Sequence, residues 1–168
     1  QDGSISTAGF ETRYESELAN DFGNLASRSL AMVSRYRNGL VPDSTVDPML
    51  AADFDGIVGR VSALLDEAQI SQALEEIWVV VRRMNRYVEE TQPWVLAKDE
   101  GDAERLDQVL YNLVEGLRIL TLLLHPYLPE SSEVLAAALG QSGLGLEDFG
   151  SRGGGQSVER IEPLFPKL

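Results

Sequence analysis

The sequence predicts an all-α fold, a bundle of four to five helices followed by an irregular, glycine-rich C-terminal tail. Three observations carry that expectation. Apolar residues recur at three- and four-residue spacings over long stretches, no run of useful length alternates as a strand would, and Pro/Gly clusters separate the periodic segments. The chain has 168 residues, 43 % hydrophobic and 24 % charged, enough for one domain with its own core but not for two. We divide it into a helical domain over residues 1–140 and a Gly/Pro-rich tail over 141–168, which packs back on the bundle or on a neighbouring domain.

A first helix is expected over about 10–38, because 100° steps put Leu18, Phe22, Leu25, Met32 and Tyr36, widened by Ala26, Leu30 and Val33, on one side. Asn24, Arg28 and Arg35 fall on the opposite side. Gly39 is a plausible stop, and the two prolines of Val41-Pro-Asp-Ser-Thr-Val-Asp-Pro48 mark a loop. A second helix spans about 48–68, with Phe54, Ile57, Val61, Leu64 and Leu65 inward and Gly56 and Gly59 weakening it. The third runs from a candidate cap at Ser71 to about residue 91. Its inner stripe is Ala73, Ile77, Val80, Val81, Met84 and Val88, while Arg82, Arg83 and Arg86 project the other way around Val79.

Gln92-Pro-Trp ends that helix, since a residue before proline is pushed away from helical angles, and Trp94 opens a short turn to about Lys98. A fourth helix over 103–124 carries the ladder Leu106, Leu110, Leu113, Leu117, Leu120 and Leu124, and is expected to be the central one. His125-Pro-Tyr-Leu-Pro129 closes it, and a short fifth helix covers 130–139. Beyond Gly140, Gly143, Gly145, Gly150 and Gly153-Gly-Gly155 read as linker, with apolar Ile161-Glu-Pro-Leu-Phe-Pro166 able to dock. There is no internal repeat.

Composition excludes several functions. The longest greasy stretch, 117–124, is interrupted by Arg118 and Thr121, too short and too polar for a membrane span. The chain contains no cysteine, so disulfides and thiolate metal sites are out, and a reducing, cytoplasmic location is favoured. Its opening Gln1-Asp-Gly-Ser lacks the regions of a signal peptide and suggests an excised piece of a longer protein. The formal charge of −13 predicts repulsion from polyanions as a whole. Two windows escape that acidity: residues 28–37 and 79–88 each hold three arginines and no acid.

Enzymatic apparatus is missing. With one histidine and no cysteine, no nucleophile has an adjacent base, and His125 at a helix end reads as a structural group favoured by the helix dipole. Acids such as Glu75-Glu76, Glu89-Glu90 and Asp99-Glu100 read as solvated faces and caps, no Glu-x-x-His occurs, and no metal is expected. Gly153-Gly-Gly155 follows no strand and opens no helix, so it is no phosphate loop.

Three polar signals remain. Asn24 and Arg28, one turn apart, carry side chains suited to two-point hydrogen bonds with a base edge; alone they read as an ordinary solvated stripe. Trp94 after Pro93 offers a flat ring beside an arginine-bearing helix, as unpaired RNA bases require; alone it reads as a core plug. The arginines at 35, 82, 83 and 86 could meet a nucleic-acid backbone.

Taken in order, Glu17-Leu-Ala-Asn-Asp-Phe-Gly-Asn-Leu-Ala-Ser-Arg28, Asn85-Arg-Tyr-Val-Glu-Glu-Thr-Gln-Pro-Trp-Val-Leu-Ala-Lys98, Leu124-His-Pro-Tyr-Leu-Pro129 and Pro163-Leu-Phe-Pro166 closely resemble methionyl-tRNA synthetase. The matching part is the helical anticodon-binding domain that follows the class I catalytic domain. The resemblance implies that Asn24 and Arg28 read the cytosine at the first position of the CAU anticodon, and that Trp94, braced by Pro93, stacks an unpaired anticodon base. It implies methionine tRNA and the catalytic domain of the same protein as partners, with no DNA and no membrane. The HIGH and KMSKS signatures are absent from these residues, so the ATP, and any zinc, used by that family belong to the catalytic domain. Two alternatives stay open: the corresponding domain of a valine, leucine or isoleucine enzyme, and a helical protein-interaction domain docking through Leu144, Leu146, Phe149 and Leu164-Phe165.

Overall fold

The computed structural model describes the backbone of residues 2–140, 149–150 and 154–161, with side chains from residue 16 onward. Seven α-helices lie among the described residues: α1 (Asp2–Arg37), α2 (Pro48–Phe54), α3 (Ile57–Asp66), α4 (Ile70–Thr91), α5 (Pro93–Leu96), α6 (Ala103–Leu124) and α7 (Pro129–Ala138). The expected second helix is two, broken where Asp55 turns extended and Gly56 takes a left-handed φ of 70°. Ser71 is not the cap of α4, which already begins at Ile70, with Gln69 before it making no side-chain cap bond.

α6 is the axis of the bundle. From Val109 to Leu124 every residue is buried, and α1, α4, α5 and α7 pack around it. Its two central charges neutralise each other: Arg118 Nη2 donates to Glu115 Oε2 at 2.8 Å, with both side chains at most 3 % exposed. α1 contributes Leu18, Phe22, Leu25, Ala26, Leu30 and Val33 to the core, while Met32 and Tyr36 lie at its rim. α4 contributes the predicted stripe and also Leu74 and Tyr87.

Helix ends follow their local chemistry. α1 closes through Asn38 and Gly39, both at positive φ, with the Gly39 amide donating to the Val33 carbonyl six residues back at 3.1 Å. Asp47 caps α2 by accepting from the Met49 amide at 3.0 Å, and Pro48 fills the first position, where no N–H is needed. The same carboxylate is buried and ties three helices together. Its Oδ2 accepts from the Tyr87 hydroxyl of α4 and from Arg105 Nη1 of α6, both at 2.7 Å. Its backbone amide donates to Asn112 of α6 at 2.9 Å.

The described part of the tail lies on the bundle. Phe149 stacks on Phe54 with ring centroids 4.3 Å apart, and the Gly150 amide donates to Glu115 Oε2 at 2.9 Å. Residues 155–158 run antiparallel to 39–41, with Val41 N donating to Gln156 O at 2.8 Å and Val158 N to Gly39 O at 2.7 Å. Gly143, Leu144, Gly145, Leu146 and Leu164-Phe165 lie outside the described residues. No helix among the described residues is long and apolar enough to cross a membrane.

Candidate nucleic-acid interface

α1 and α4 lie side by side, and their outward faces enclose an open cleft of about 470 Å³. α1 supplies Asp21, Asn24 and Arg28; α4 supplies Arg82, Asn85, Arg86 and Glu89. The spacings of three, four and seven within each helix are those that keep side chains on one face. Three arginines against two carboxylates leave the lining with one positive charge, in a chain of formal charge −13.

Asp21 stitches the cleft floor. Its Oδ2 accepts from the indole Nε1 of Trp78 at 2.8 Å, and its backbone carbonyl accepts from Asn85 Nδ2 at 3.2 Å. Trp78, half-buried on α4, carries the Arg82 guanidinium over its ring at 5.3 Å from the centroid. Arg28 Nη2 donates to Glu89 Oε1 at 2.9 Å, an exposed pair that spans the cleft. No hydrogen bond or ion pair joins Arg82 or Arg86 to another group among the described residues.

Three residues past Glu89, the chain leaves α4 through Gln92, in a left-handed conformation at φ 47°. Pro93 is buried and opens α5; Trp94 is 36 % exposed and Val95 44 %. The Pro-Trp corner therefore holds its proline in the bundle and presents its indole outward, against the reading of Trp94 as a core plug.

A family model described as the anticodon binding domain of methionyl tRNA ligase matches residues 42–149. The chain belongs to that family. It is 38 % identical to a methionine–tRNA ligase of Caldanaerobacter subterraneus and 36 % identical to one of Clostridium perfringens, over 99 % of its own length and 27 % of theirs. Its fold superposes on Mycobacterium tuberculosis methionyl-tRNA synthetase in complex with methionyl-adenylate with a TM-score of 0.82. That match is at 34 % identity over 95 % of this chain and 33 % of the other. The chain thus spans about a quarter of the length of the relatives it matches. The match to the methionine family decides against the domains of the valine, leucine and isoleucine enzymes.

Within this anticodon-binding fold, the predicted residues divide. Asn24, Arg28, Arg82 and Arg86 meet in the cleft. Arg83 does not: one position from Arg82 is a 100° turn, and its guanidinium reaches Glu90 Oε1 at 2.7 Å, Asp53 Oδ2 at 3.4 Å and the Met49 carbonyl at 3.2 Å. It braces α4 against α2. Arg35 lies two turns beyond Arg28, over the Tyr36 ring at 5.9 Å. The arginine windows 28–37 and 79–88 hold no acid, but the cleft does: Asp21 and Glu89, just outside those windows, line it. Sequence reasoning assigned no role to Trp78, Asp21 or Asn85. Trp78 stands four residues before Arg82, a spacing that signals contact on a helix. His125, at the end of α6, has its Nε2 3.7 Å from Glu133 Oε1. No group of three or more His, Asp or Glu side chains among the described residues could hold a metal ion.

Proposed function

We propose that this chain reads the CAU anticodon of methionine tRNA for a catalytic domain of the same protein, which uses ATP to attach methionine. The observation that carries the reading is the single cleft in which Asn24 and Arg28 of α1 face Arg82, Asn85 and Arg86 of α4, with Trp94 exposed just past the end of α4. Arg28 supplies only donors, whereas the Asn24 amide supplies donors and an acceptor. The Watson–Crick edge of cytosine, with two acceptors beside one donor, matches that set. Trp94, held by buried Pro93, offers its face to an unpaired base, and stacking is favourable for any base. Sequence choice therefore falls to Asn24 and Arg28. Glu89 must release Arg28 when the base arrives, so the carboxylate competes directly with the RNA for that guanidinium. Arg82 and Arg86 meet the phosphates, and Arg35 extends the same helix face toward the flanking backbone.

The test is binding of a labelled CAU anticodon stem-loop against one with a changed first base, at fixed low salt. Arg28→Ala should remove most of the preference for CAU, a change of about 1–3 kcal/mol, or roughly 5- to 150-fold. Trp94→Ala should weaken both loops by about 1–3 kcal/mol. Equal binding of the two loops, indifferent to both substitutions, would overturn the assignment.

A further inference from the structure

Five arginines stand on or beside the α1–α4 face, and they differ in what their donors already do. The Arg28 guanidinium is bonded to Glu89 at 2.9 Å, and that of Arg83 to Glu90, Asp53 and the Met49 carbonyl. Arg35 leans over Tyr36, beyond the cleft lining. Arg82 and Arg86 alone line the cleft with no hydrogen bond or ion pair among the described residues. Of those two, Arg82 is placed: its Cζ lies 5.3 Å from the centroid of the Trp78 ring. A cation held over an aromatic face is attracted by the ring quadrupole, an interaction that occupies none of the five N–H donors. Arginine suits this arrangement because its planar fork stays intact when stacked.

Trp78 is itself fixed. Its indole N–H donates to Asp21 Oδ2 at 2.8 Å across the helix pair, and the neighbouring Asn85 side chain holds the Asp21 carbonyl at 3.2 Å. The ring cannot swing without breaking a charge-assisted bond. That bond also engages one oxygen of the cleft's nearest carboxylate to Trp78, which weakens its repulsion of an approaching phosphate.

Resting on the anticodon reading above, we propose that Trp78 is a positioning residue for RNA: anchored by Asp21, it presents the Arg82 fork, donors free, to a backbone phosphate of the anticodon strand. The contact is with phosphate, so it adds affinity without choosing sequence. Arg83, adjacent in sequence, takes no part.

The experiment measures binding of the CAU stem-loop and of the changed loop over about 50–200 mM salt. It compares the chain with Trp78→Leu, Trp78→Phe, Arg82→Gln, Arg83→Gln and the double variant Trp78→Leu/Arg82→Gln. Trp78→Leu and Arg82→Gln should each weaken both loops by the same factor, about 3- to 10-fold, and each should flatten the slope of log K against log salt by about 0.7, one single-strand phosphate. The double variant should lose no more than Arg82→Gln alone. Trp78→Phe, which keeps a ring face but has no N–H for Asp21, should fall between the parent and Trp78→Leu, and Arg83→Gln should retain the whole slope. Arg82→Gln changes an exposed side chain and leaves the core intact, so it stands as a reading even if Trp78→Leu unfolds the chain.

An unchanged slope in Arg82→Gln, or losses that add in the double variant, would overturn the proposal while leaving a CAU preference in place. Loss of the CAU preference in the unmodified chain would instead overturn the anticodon reading, whatever the slopes show.

Discussion

Replacing Tyr87 by Phe deletes one oxygen from a ring that is 0 % exposed and leaves its volume filled. The hydroxyl donates to Asp47 Oδ2 at 2.7 Å, and that oxygen also accepts from Arg105 at 2.7 Å. A hydrogen bond to a charged group contributes about 1.5–3 kcal/mol. Asp47 keeps Arg105 and the Met49 amide in the variant, so it is not orphaned, and the roughly 3–5 kcal/mol of breaking a buried ion pair does not arise. We expect Tyr87→Phe to lose about 1.5–3 kcal/mol at neutral pH, with Tm falling by about 3–12 °C. The loss should also depend on pH. Burial pushes the Asp47 carboxyl up, but the Met49 amide, Tyr87 and Arg105 together outweigh it and hold the group below its ordinary 3.8. A carboxyl with a depressed folded-state pKa contributes stability above its unfolded pKa and loses it as pH falls through the folded one. The difference between Tyr87→Phe and the parent should therefore hold from neutral pH to about 4 and shrink below it. In alkali the sign reverses. Burial and then Asp47 raise the Tyr87 phenol above its ordinary 10.0, so its contribution is present below pH 10.0 and lost above it. Urea denaturation followed by circular dichroism across this range is the assay. A loss under about 0.5 kcal/mol at neutral pH, or a loss that does not change on acidification, would refute the reasoning.

Three further outcomes are expected. Arg118→Met should destabilise the chain by about 3–5 kcal/mol, because Glu115 is left charged inside the bundle. Adding Glu115→Gln should recover part of that loss in the same denaturation assay. At Gly154 an added Cβ would meet the backbone of Pro42 and Asp43, which cannot swing aside. Gly154→Ala should therefore cost about 1–3 kcal/mol, and limited proteolysis should then cut residues 154–161 faster. Glu89→Gln removes the partner of Arg28 from an exposed pair, so stability should change by no more than about 0.5 kcal/mol. Binding of the CAU stem-loop should nevertheless strengthen by about 3- to 10-fold at low salt, since the guanidinium is released and a repulsive charge is gone.

The legible parts of the fold are those whose information is local. The leucine ladder of α6 and the apolar stripe of α1 are written at helical spacing, so both the elements and their buried faces follow from the sequence. The break at Gly56 does not, because Phe54, Ile57 and Val61 keep the helical phase across it and periodicity alone cannot see a left-handed φ. Asp47 beside Pro48 reads as a loop breaker; its burial exists only once α2, α4 and α6 meet around it. At the site, Asn24, Arg28, Arg82 and Arg86 were legible as neighbours on their own helices. Asp21 and Glu89 share those faces at the same spacings and were legible in the same way; that Arg83 turns to Asp53 and Met49 depends on how α2 seats against α4.

That dependence also bears on the acidity of the chain. Net charge sums the whole chain, whereas an approaching phosphate meets the groups nearest the cleft first, and there three arginines stand against two carboxylates. Asp21 accepts from Trp78, Glu89 from Arg28, and Asp47, on the far side of α4, from Tyr87 and Arg105. Each carboxylate is engaged by a donor whose position it fixes. The inner face of α4 is set by Asp47 through Tyr87, and the outer face by Asp21 through Trp78 and Asn85, so two buried or half-buried acids hold one helix from both sides. What that helix presents outward is then decided by which arginines have been left without a carboxylate. On this face they are Arg82 and Arg86, one turn apart. The acids thus act as anchors for a short cationic edge, and on the proposed reading affinity for RNA should follow the placement of these two guanidinium groups rather than the sum over the chain.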